Sequence, residues 1–222
     1  MLTRRILLAL CALALAGPAA AAQDPNPFVV INTSEGAITL ELFADKAPVT
    51  ARNFLKYVDR KLFDGATFYR ASKPPGYAAN DYGTVQGGLQ NDPKKVLPPI
   101  AHESTAKTGI LHRDGVISMG RHAPGTAQAD WFICVGEMSY LDATAKDPGF
   151  AAFGHVTEGM DVVRKILGGR TDPNRGEGAM KGEMLVKPVR ITSVRRVAAP
   201  APAAAPAAPA PAALVPAGPA TP

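Results

Sequence analysis

The segment FVVINTSEGAITLELF, residues 28–43, decides the fold class of this chain. Its two flanks, residues 28–32 and 37–43, are rich in the β-branched and aromatic residues that favour strands. Between the flanks, residues 34–36 have the composition of a tight turn. The segment therefore predicts a β-hairpin and a fold built mainly from strands.

A helix is predicted directly after the hairpin. Pro48 suits its first turn, where the missing amide hydrogen is not needed. Apolar residues then recur at the spacing of one helical face, i, i+3, i+4, i+7 and i+11. They are Ala51, Phe54, Leu55, Val58 and Leu62. Such a stripe should pack on a sheet.

Short strand-like runs fill the rest of the middle of the chain, separated by loops rich in glycine, proline and aspartate. They are residues 66–69, 116–119, 131–135, 152–156 and 189–194. Residues 157–167 predict a second helix, with Thr157 at its start, Met160, Val163 and Leu167 on one side, and Gly168 after it. Many short strands with two helices indicate a β-barrel with helical plugs.

The first 22 residues have the pattern of a cleaved export signal. Arg4 and Arg5 precede an apolar stretch over residues 6–16, and small residues precede Gln23. The stretch is shorter than the roughly 20 residues that a bilayer requires, so we expect no stable membrane anchor. The arginine pair leaves the twin-arginine route open beside the general secretory route, which we favour. We therefore predict a periplasmic or secreted protein.

At the other end, residues 198–222 are almost wholly alanine and proline, without charged or aromatic residues. Such a segment cannot bury enough apolar surface to offset the entropy lost on ordering, so we predict a disordered tail. A solvated tail without a function is the default interpretation. A semi-rigid spacer, or a ligand for a proline-reading partner, are the alternatives. One domain, residues 23–197, then remains.

Charge and cysteine content narrow the function classes. Loss of the two signal arginines lowers the formal net charge from +5 to +3, with no basic run, so we expect no nucleic-acid partner. Signal cleavage also leaves Cys134 as a single cysteine, which excludes an internal disulfide. Its neighbours Ile133 and Val135 predict a strand, in which an unpaired cysteine is usually a small buried hydrophobe.

Six short motifs carry the chemistry of the middle region. They are Phe68-Tyr69-Arg70, Gln86-Gly87-Gly88, Ile117-Ser118-Met119, Trp131-Phe132-Ile133, Tyr140-Leu141-Asp142 and Phe153-Gly154. They supply one cation, one amide and large apolar groups. The four histidines lack the spacing of a zinc site, so we expect no metal. Ser118 with His122 lacks the Gly-x-Ser-x-Gly elbow and a convincing acid partner of a hydrolase. These groups suit a reaction that makes and breaks no covalent bond.

The sequence closely resembles a cyclophilin-type peptidyl-prolyl cis-trans isomerase at the motifs that begin with Phe68, Gln86 and Trp131, at ELFADKAP, residues 41–48, and at FGHVTEGM, residues 153–160. The resemblance covers residues 28–194. It implies a closed eight-stranded antiparallel β-barrel with a capping α-helix at each end, a proline-binding groove on the outside of the barrel, and no cofactor. It also implies that proline-containing polypeptides are the substrates. With the export signal, we expect a monomer that assists the folding of exported proteins by accelerating rotation about X-Pro bonds.

Carried over residue by residue, the resemblance makes Arg70 the catalytic group. The substrate-binding residues that it implies are Gln86, the backbone wall at Gly120 and Arg121, the pocket floor Phe132, and Tyr140 and Leu141 at the side of the pocket. Met119 is expected to help hold the proline ring, and Phe150 stands where the better-known eukaryotic members have histidine.

Other positions also depart from the eukaryotic pattern. Tyr140 replaces tryptophan, Asp130 replaces glutamine and Arg121 replaces asparagine, which we interpret as features of an exported bacterial branch. Loss of the tryptophan puts tight cyclosporin binding in doubt. Residues 73–84 are inserted or changed, and Tyr82 is the candidate there for one member of the groove's phenylalanine-methionine pair. The altered segment leaves an alternative open, namely a proline-peptide binding module or chaperone with little turnover.

Overall fold

The computed structural model describes residues 26–199. Its first two strands form the expected hairpin, β1 (Phe28–Thr33) and β2 (Gly36–Leu42), which pair antiparallel with Thr33 opposite Gly36. Gly36 has φ +139°, and a Cβ there would lie 2.7 Å from Val162, so the turn requires glycine. The predicted hairpin is confirmed.

Seven further strands complete one antiparallel sheet. They are β3 (Thr67–Ser72), β4 (Gly83–Gly88), β5 (Val116–Met119), β6 (Trp131–Val135), β7 (Ala151–Glu158), β8 (Thr171–Asp172) and β9 (Met184–Val197). The order β1-β2-β7-β5-β6-β4-β3-β9 returns to β1, while β8 pairs only with β9. Eight strands therefore form a closed barrel, as predicted, although the strand patterns alone did not identify β4.

Helices α1 (Pro48–Asp59) and α3 (Met160–Leu167) pack against the barrel, and α2 (Thr105–Thr108) is a single turn. The predicted stripe of α1 is buried, except that Leu62 follows the helix end and is half-buried. The predicted start of α3 at Thr157 is wrong. Strand β7 continues to Glu158, and Gly159 with φ +90° then turns the chain into the helix.

The barrel interior holds one large aromatic core, which we call the inner core. Its rings come from α1, the strands and the loop after α1, namely Phe54, Phe63, Phe68, Trp131 and Phe153. A separate apolar group, the outer cluster, consists of Phe132, Cys134 and Met138 with Tyr82, Leu141 and Phe150. Because successive side chains of β6 point to opposite faces, Trp131 lies inside the barrel and Phe132 outside.

Within residues 26–199, no helix combines the length and the apolar character needed to cross a bilayer. The predicted signal peptide and the predicted tail lie outside the described residues, apart from residues 198 and 199 at the start of the tail. The predicted domain, residues 23–197, contains all of the barrel.

Candidate active site

The catalytic candidate and the pocket floor lie in one row across three neighbouring strands. Arg70 on β3 pairs with Gln86 on β4, and Gln86 pairs with Phe132 on β6. Directly paired residues share one face of a sheet, and neighbouring strands are about 4.8 Å apart, so the backbones of Arg70 and Phe132 are about 10 Å apart. The sheet therefore brings the predicted cation, amide and floor together on the outside of the barrel.

A β-bulge at Tyr69 supplies an additional side chain to this face. The register of β3 shifts between Phe68 and Arg70 with respect to both of its neighbours. Phe68 enters the inner core, where its ring lies 5.1 Å from that of Trp131. The Tyr69 hydroxyl instead accepts a hydrogen bond from Nε2 of Gln86, at 2.7 Å. Bulges re-aim side chains in this way next to active sites.

Glu183, directly before β9, holds the guanidinium of Arg70. Nε of Arg70 donates to its Oε2 at 2.7 Å, and Nη2 lies 2.5 Å from the same oxygen as an ion pair. Nη1 donates to Oε1 of Gln86 at 2.8 Å, and Nη2 also donates to the Ala179 carbonyl at 3.4 Å. Three of the five N–H groups, one each on Nε, Nη1 and Nη2, thus have hydrogen-bond partners in the described chain, and the second N–H group of Nη1 has none there. With its side chain 20% exposed, Arg70 is fixed at the surface and is not extended into solvent.

The orientation of Gln86 is set by Tyr69 and Asp130. Tyr69 donates its hydroxyl hydrogen to Oδ1 of Asp130 at 3.2 Å, and burial together with the Asp130 charge raises the pKa of Tyr69. Tyr69 therefore stays protonated and accepts from the Gln86 amide nitrogen. The amide oxygen of Gln86 consequently faces Arg70.

Asp130 also fixes the loop after β4. Its carboxylate accepts the backbone N–H groups of Gln90 and Asn91 at 2.8 and 3.0 Å, and both of these residues have positive φ. Burial raises the pKa of Asp130, while these two N–H groups oppose that rise. An acid suits this position because a carboxylate accepts all three hydrogen bonds at once.

The outer cluster lies beside this polar network. The ring of Phe150 meets that of Phe132 edge-on at 5.4 Å, and the Arg121 guanidinium lies 4.7 Å above the Phe150 ring. Arg121 is anchored by the Gly149 carbonyl, which accepts from both Nε and Nη2. Leu141 and the candidate Tyr82 belong to the same cluster. Tyr140 is 68% exposed at its rim, and its hydroxyl contacts Sδ of Met138 at 3.7 Å.

Gly120, in the predicted backbone wall, lies beside Gln86, whereas Met119 belongs to the inner core. Gly120 donates its N–H to the Asp130 carbonyl at 2.8 Å, and a Cβ on Gly120 would lie 3.4 Å from Nε2 of Gln86. Met119 pairs with Trp131, is 1% exposed and belongs to the inner core. Strand alternation turns its side chain away from the outer face. Met119 therefore supports the wall from inside the barrel.

A buried chain of hydrogen bonds supports the pocket floor. Asp142 Oδ1 lies 2.7 Å from Nδ1 of His112, and Nε2 of His112 lies 2.9 Å from the Ser118 hydroxyl. The His112 ring stacks on Phe132 with centroids 6.0 Å apart. Burial lowers the pKa of His112 despite the neighbouring carboxylate. A neutral His112 donates from Nδ1 to Asp142 and accepts from Ser118.

The sequence analysis considered Ser118 together with His122. In the structure, Ser118 instead contacts His112. Ser118 is fully buried, with 0% of its surface exposed. A serine nucleophile has to reach its substrate, so the arrangement holds the floor in place and does not act as a hydrolase.

The changed segment between Arg70 and Gln86 folds back on itself. Nζ of Lys73 donates to Oδ1 of Asn80 at 3.1 Å and to the Ala79 carbonyl at 3.3 Å. Tyr77 donates to Asp81 at 2.7 Å, and its ring meets that of Tyr82 at 6.2 Å. Beside the outer cluster this leaves an open cleft of about 230 Å³, lined in part by Lys73, Tyr82 and Tyr140.

The sequence motifs missed three contributors to the site: Glu183, Tyr69 as a polar side chain, and Met138. Glu183 had no local signal, because it meets Arg70 across 113 residues. In the described range, no three His, Cys, Asp or Glu side chains converge as a metal site would require. Cys134 is fully buried, and burial raises the pKa of its thiol to about 12, which agrees with the predicted unreactive cysteine.

Comparison with known proteins identifies the family of this chain. Residues 28–196 match the family model described as cyclophilin-type peptidyl-prolyl cis-trans isomerase. A peptidyl-prolyl cis-trans isomerase of Streptomyces antibioticus is 38% identical over 173 residues, which cover 75% of this chain and 96% of the relative. The peptidyl-prolyl cis-trans isomerase B of Escherichia coli is 32% identical over 170 residues, covering 75% of this chain and 97% of the relative.

Among solved structures, a cyclophilin-type isomerase of Cryptosporidium parvum shares the fold, with a TM-score of 0.63 at 18% identity, over 79% of this chain and 99% of that one. A second structure of that protein, solved in the presence of the dipeptide Ala-Pro, gives a TM-score of 0.62 at 18% identity, over 78% of this chain and 99% of that one. The matching family model and the relatives above 30% identity decide the assignment: this chain belongs to the cyclophilin family of peptidyl-prolyl cis-trans isomerases.

Proposed function

We propose that Arg70 catalyses the isomerisation and that the outer cluster holds the substrate proline, with Phe132 as the floor of its pocket. The observation that carries this proposal is the row of Arg70, Gln86 and Phe132, in which a fixed guanidinium stands beside a buried apolar floor. The Ala-Pro dipeptide with which the Cryptosporidium protein was solved has the chemistry that such a row would bind.

The reaction explains why a cation is needed beside the proline ring. The prolyl amide resists rotation because the nitrogen lone pair is delocalised, and the barrier is about 18–20 kcal/mol. In the half-rotated state the nitrogen becomes pyramidal and regains its lone pair. The remaining N–H group on Nη1 of Arg70 stabilises that state more than either planar isomer, which lowers the barrier.

Arg70 does not supply the whole effect. One preorganised donor contributes about 2.7–4 kcal/mol to transition-state stabilisation. A ten-thousandfold acceleration requires about 5.5 kcal/mol. The remainder comes from orientation: Phe132 and Leu141 hold the ring, while Gln86 and the backbone at Gly120 hold the peptide that precedes it.

The test is the exchange of an Ala-Pro peptide followed by NMR line broadening. The unchanged protein should accelerate cis-trans exchange, and Arg70→Ala should lower kcat/KM about 100- to 1000-fold. Arg52→Ala on the exposed face of α1 is the matched control and should leave exchange unchanged. Arg70→Lys should restore little, because lysine lacks the planar fork that Glu183 holds.

Two outcomes would overturn the assignment of Arg70. One is full exchange by Arg70→Ala. The other is peptide binding without faster exchange by the unchanged protein, which would instead support the proline-binding module or chaperone with little turnover.

We further propose that the protein acts on X-Pro bonds of exported proteins and assists their folding. The predicted signal peptide supports this proposal. Mass spectrometry of the periplasmic fraction should show a chain that lacks residues 1–22. An unprocessed chain in the cytoplasmic fraction would contradict export. The refolding rate of a periplasmic protein with a rate-limiting prolyl isomerisation should rise with added protein and not with Arg70→Ala.

A further inference from the structure

We propose that the distal part of the Ala/Pro-rich tail binds in the groove of its own domain and competes there with substrate. This inference rests on the proposed function, because it needs a groove that accepts X-Pro units. Eight prolines lie in residues 198–222, and five of them follow an alanine, as at Ala210-Pro211. The tail is thus a series of the units that the site would recognise.

The chemistry of the groove matches this segment. The pocket presents the apolar floor Phe132 with Phe150 and Leu141, and its polar contacts come from Gln86 and backbone groups. Such a site needs no charge on its ligand, and the tail has none. The residues before the tail prolines are alanine, valine, glycine and threonine, all small enough to pass the neighbouring wall.

The rim of the groove favours a proline-rich chain as well. Tyr140 is 68% and Tyr77 is 39% exposed, and both lie close to Tyr82, which joins the outer cluster. Proline-rich segments dock on surfaces lined with aromatic rings, because their extended form loses little entropy on binding. Several prolines can therefore contact the protein while one occupies the pocket.

The reach of the tail selects which prolines can bind. Strand β9 pairs with Arg70 at Met184 and ends at Val197 beside Phe28, so the tail starts no more than about 43 Å from Arg70. A bend of β9 through a right angle would shorten this to about 30 Å. Pro200 and Pro202 reach at most about 18 Å beyond Val197, whereas Pro216 reaches about 60 Å.

A weak site is sufficient for this competition. A unit of about a dozen non-hydrogen atoms binds with a Kd on the order of 1 mM. Tethering through a short linker gives an effective concentration that is also on the order of 1 mM. Several distal units then occupy the groove for a substantial part of the time, which raises the apparent KM for external peptide about 2- to 10-fold.

The experiment compares full-length chains in the exchange assay with a free Ala-Pro tetrapeptide. The distal variant carries Pro→Ser at Pro209, Pro211, Pro216, Pro219 and Pro222, and the matched control carries Pro200→Ser and Pro202→Ser. The distal variant should show a KM about 2- to 10-fold lower at unchanged kcat, while the control should equal the unchanged chain. Binding of a tethered segment does not depend on protein concentration, so the difference in KM should be the same at about 1 μM and at about 50 μM protein.

The outcomes separate this inference from the proposed function. Exchange with equal KM in all three chains overturns tail binding and leaves the proposed function intact. A KM difference that grows with protein concentration also overturns it, since the tail then binds a second copy. Absence of exchange in every chain contradicts the proposed function. Tail binding is then read separately, from NMR shifts of the Phe132 and Phe150 rings between the unchanged chain and the distal variant.

Discussion

On strand β6, alternate residues belong to the inner core and to the outer cluster. On β6, Trp131, Ile133 and Val135 belong to the inner core, while Phe132 and Cys134 belong to the outer cluster. All five residues are buried. The inner core consists of apolar and aromatic residues, whereas the outer cluster borders the polar network of Arg70, Gln86 and Glu183. Alternation along β6 thus separates the residues expected to stabilise the fold from those proposed to bind substrate.

The largest effect is expected on stability, from Trp131→Ala. Trp131 is fully buried and contacts the rings of Phe54, Phe63 and Phe68. The free energy of unfolding, measured in urea, should fall by about 3–5 kcal/mol because a large cavity opens. The kcat/KM of the folded fraction should change far less. A larger loss of catalysis than of stability would contradict the separation of the two groups.

The next largest effect is expected on catalysis, from Phe132→Ala, one residue further along β6. Removing the floor removes about 1.5–3 kcal/mol of apolar burial for the proline ring, so kcat/KM should fall roughly 10- to 150-fold in the exchange assay. The unfolding free energy should fall by less than in Trp131→Ala. Unchanged kcat/KM would exclude Phe132 as the floor.

A smaller effect is expected from Glu183→Gln, which tests the polar border of the outer cluster. The substitution removes the charge that fixes both Nε and Nη2 of Arg70. A hydrogen bond to a charged group contributes about 1.5–3 kcal/mol, and glutamine keeps part of it, so kcat should fall about tenfold at unchanged KM. Ser72→Ala, which removes the other partner of Glu183, is the control and should have a smaller effect. A rise in kcat would show that the Glu183 charge opposes catalysis by Arg70.

The smallest expected effect is on the pH dependence of the unfolding free energy, and it arises from His112, whose ring stacks on Phe132. Burial lowers the pKa of His112 from its usual 6.5. Below about pH 6.5 the unfolded chain binds a proton that the native chain does not, so the unfolding free energy should decline as the pH falls from 7.5 to 5. His112→Asn should flatten this decline, and exposed His122→Asn should preserve it. Equal slopes in urea titrations of both variants would contradict the assignment to His112.

The sequence predicted most strands of the barrel because these strands are rich in β-branched and aromatic residues. It missed β4, whose sequence GTVQGG contains three glycines and one apolar residue. That strand exists because β3 and β6 pair with it on both sides. Thr157 resembled a helix cap, but pairing with β2 extends β7 as far as Glu158.

Only part of the candidate site could be predicted from the sequence, and that part came mainly from the family resemblance. The motifs predicted Arg70, Gln86 and Phe132 as site residues, and the register places the three in one row. Met119 belongs to the inner core because its neighbour Ser118 pairs with Phe132 on the outer face, and that pairing is set by the sheet. The bulge at Tyr69 breaks alternation, and the partnership of Glu183 with Arg70 arises from the placement of β9 beside β3. Neither feature follows from local sequence.

Strands β1 and β9 meet in one ladder, with Phe28 opposite Val197. The ends of the domain are therefore neighbours, and a short connecting loop could join them without disturbing a barrel hydrogen bond. Opening the chain between Pro93 and Lys94, in an exposed turn, would give a circular permutant with the same contacts in a new order. Which strand is synthesised first is thus independent of the architecture, and the domain is suited to insertion into a loop of another protein.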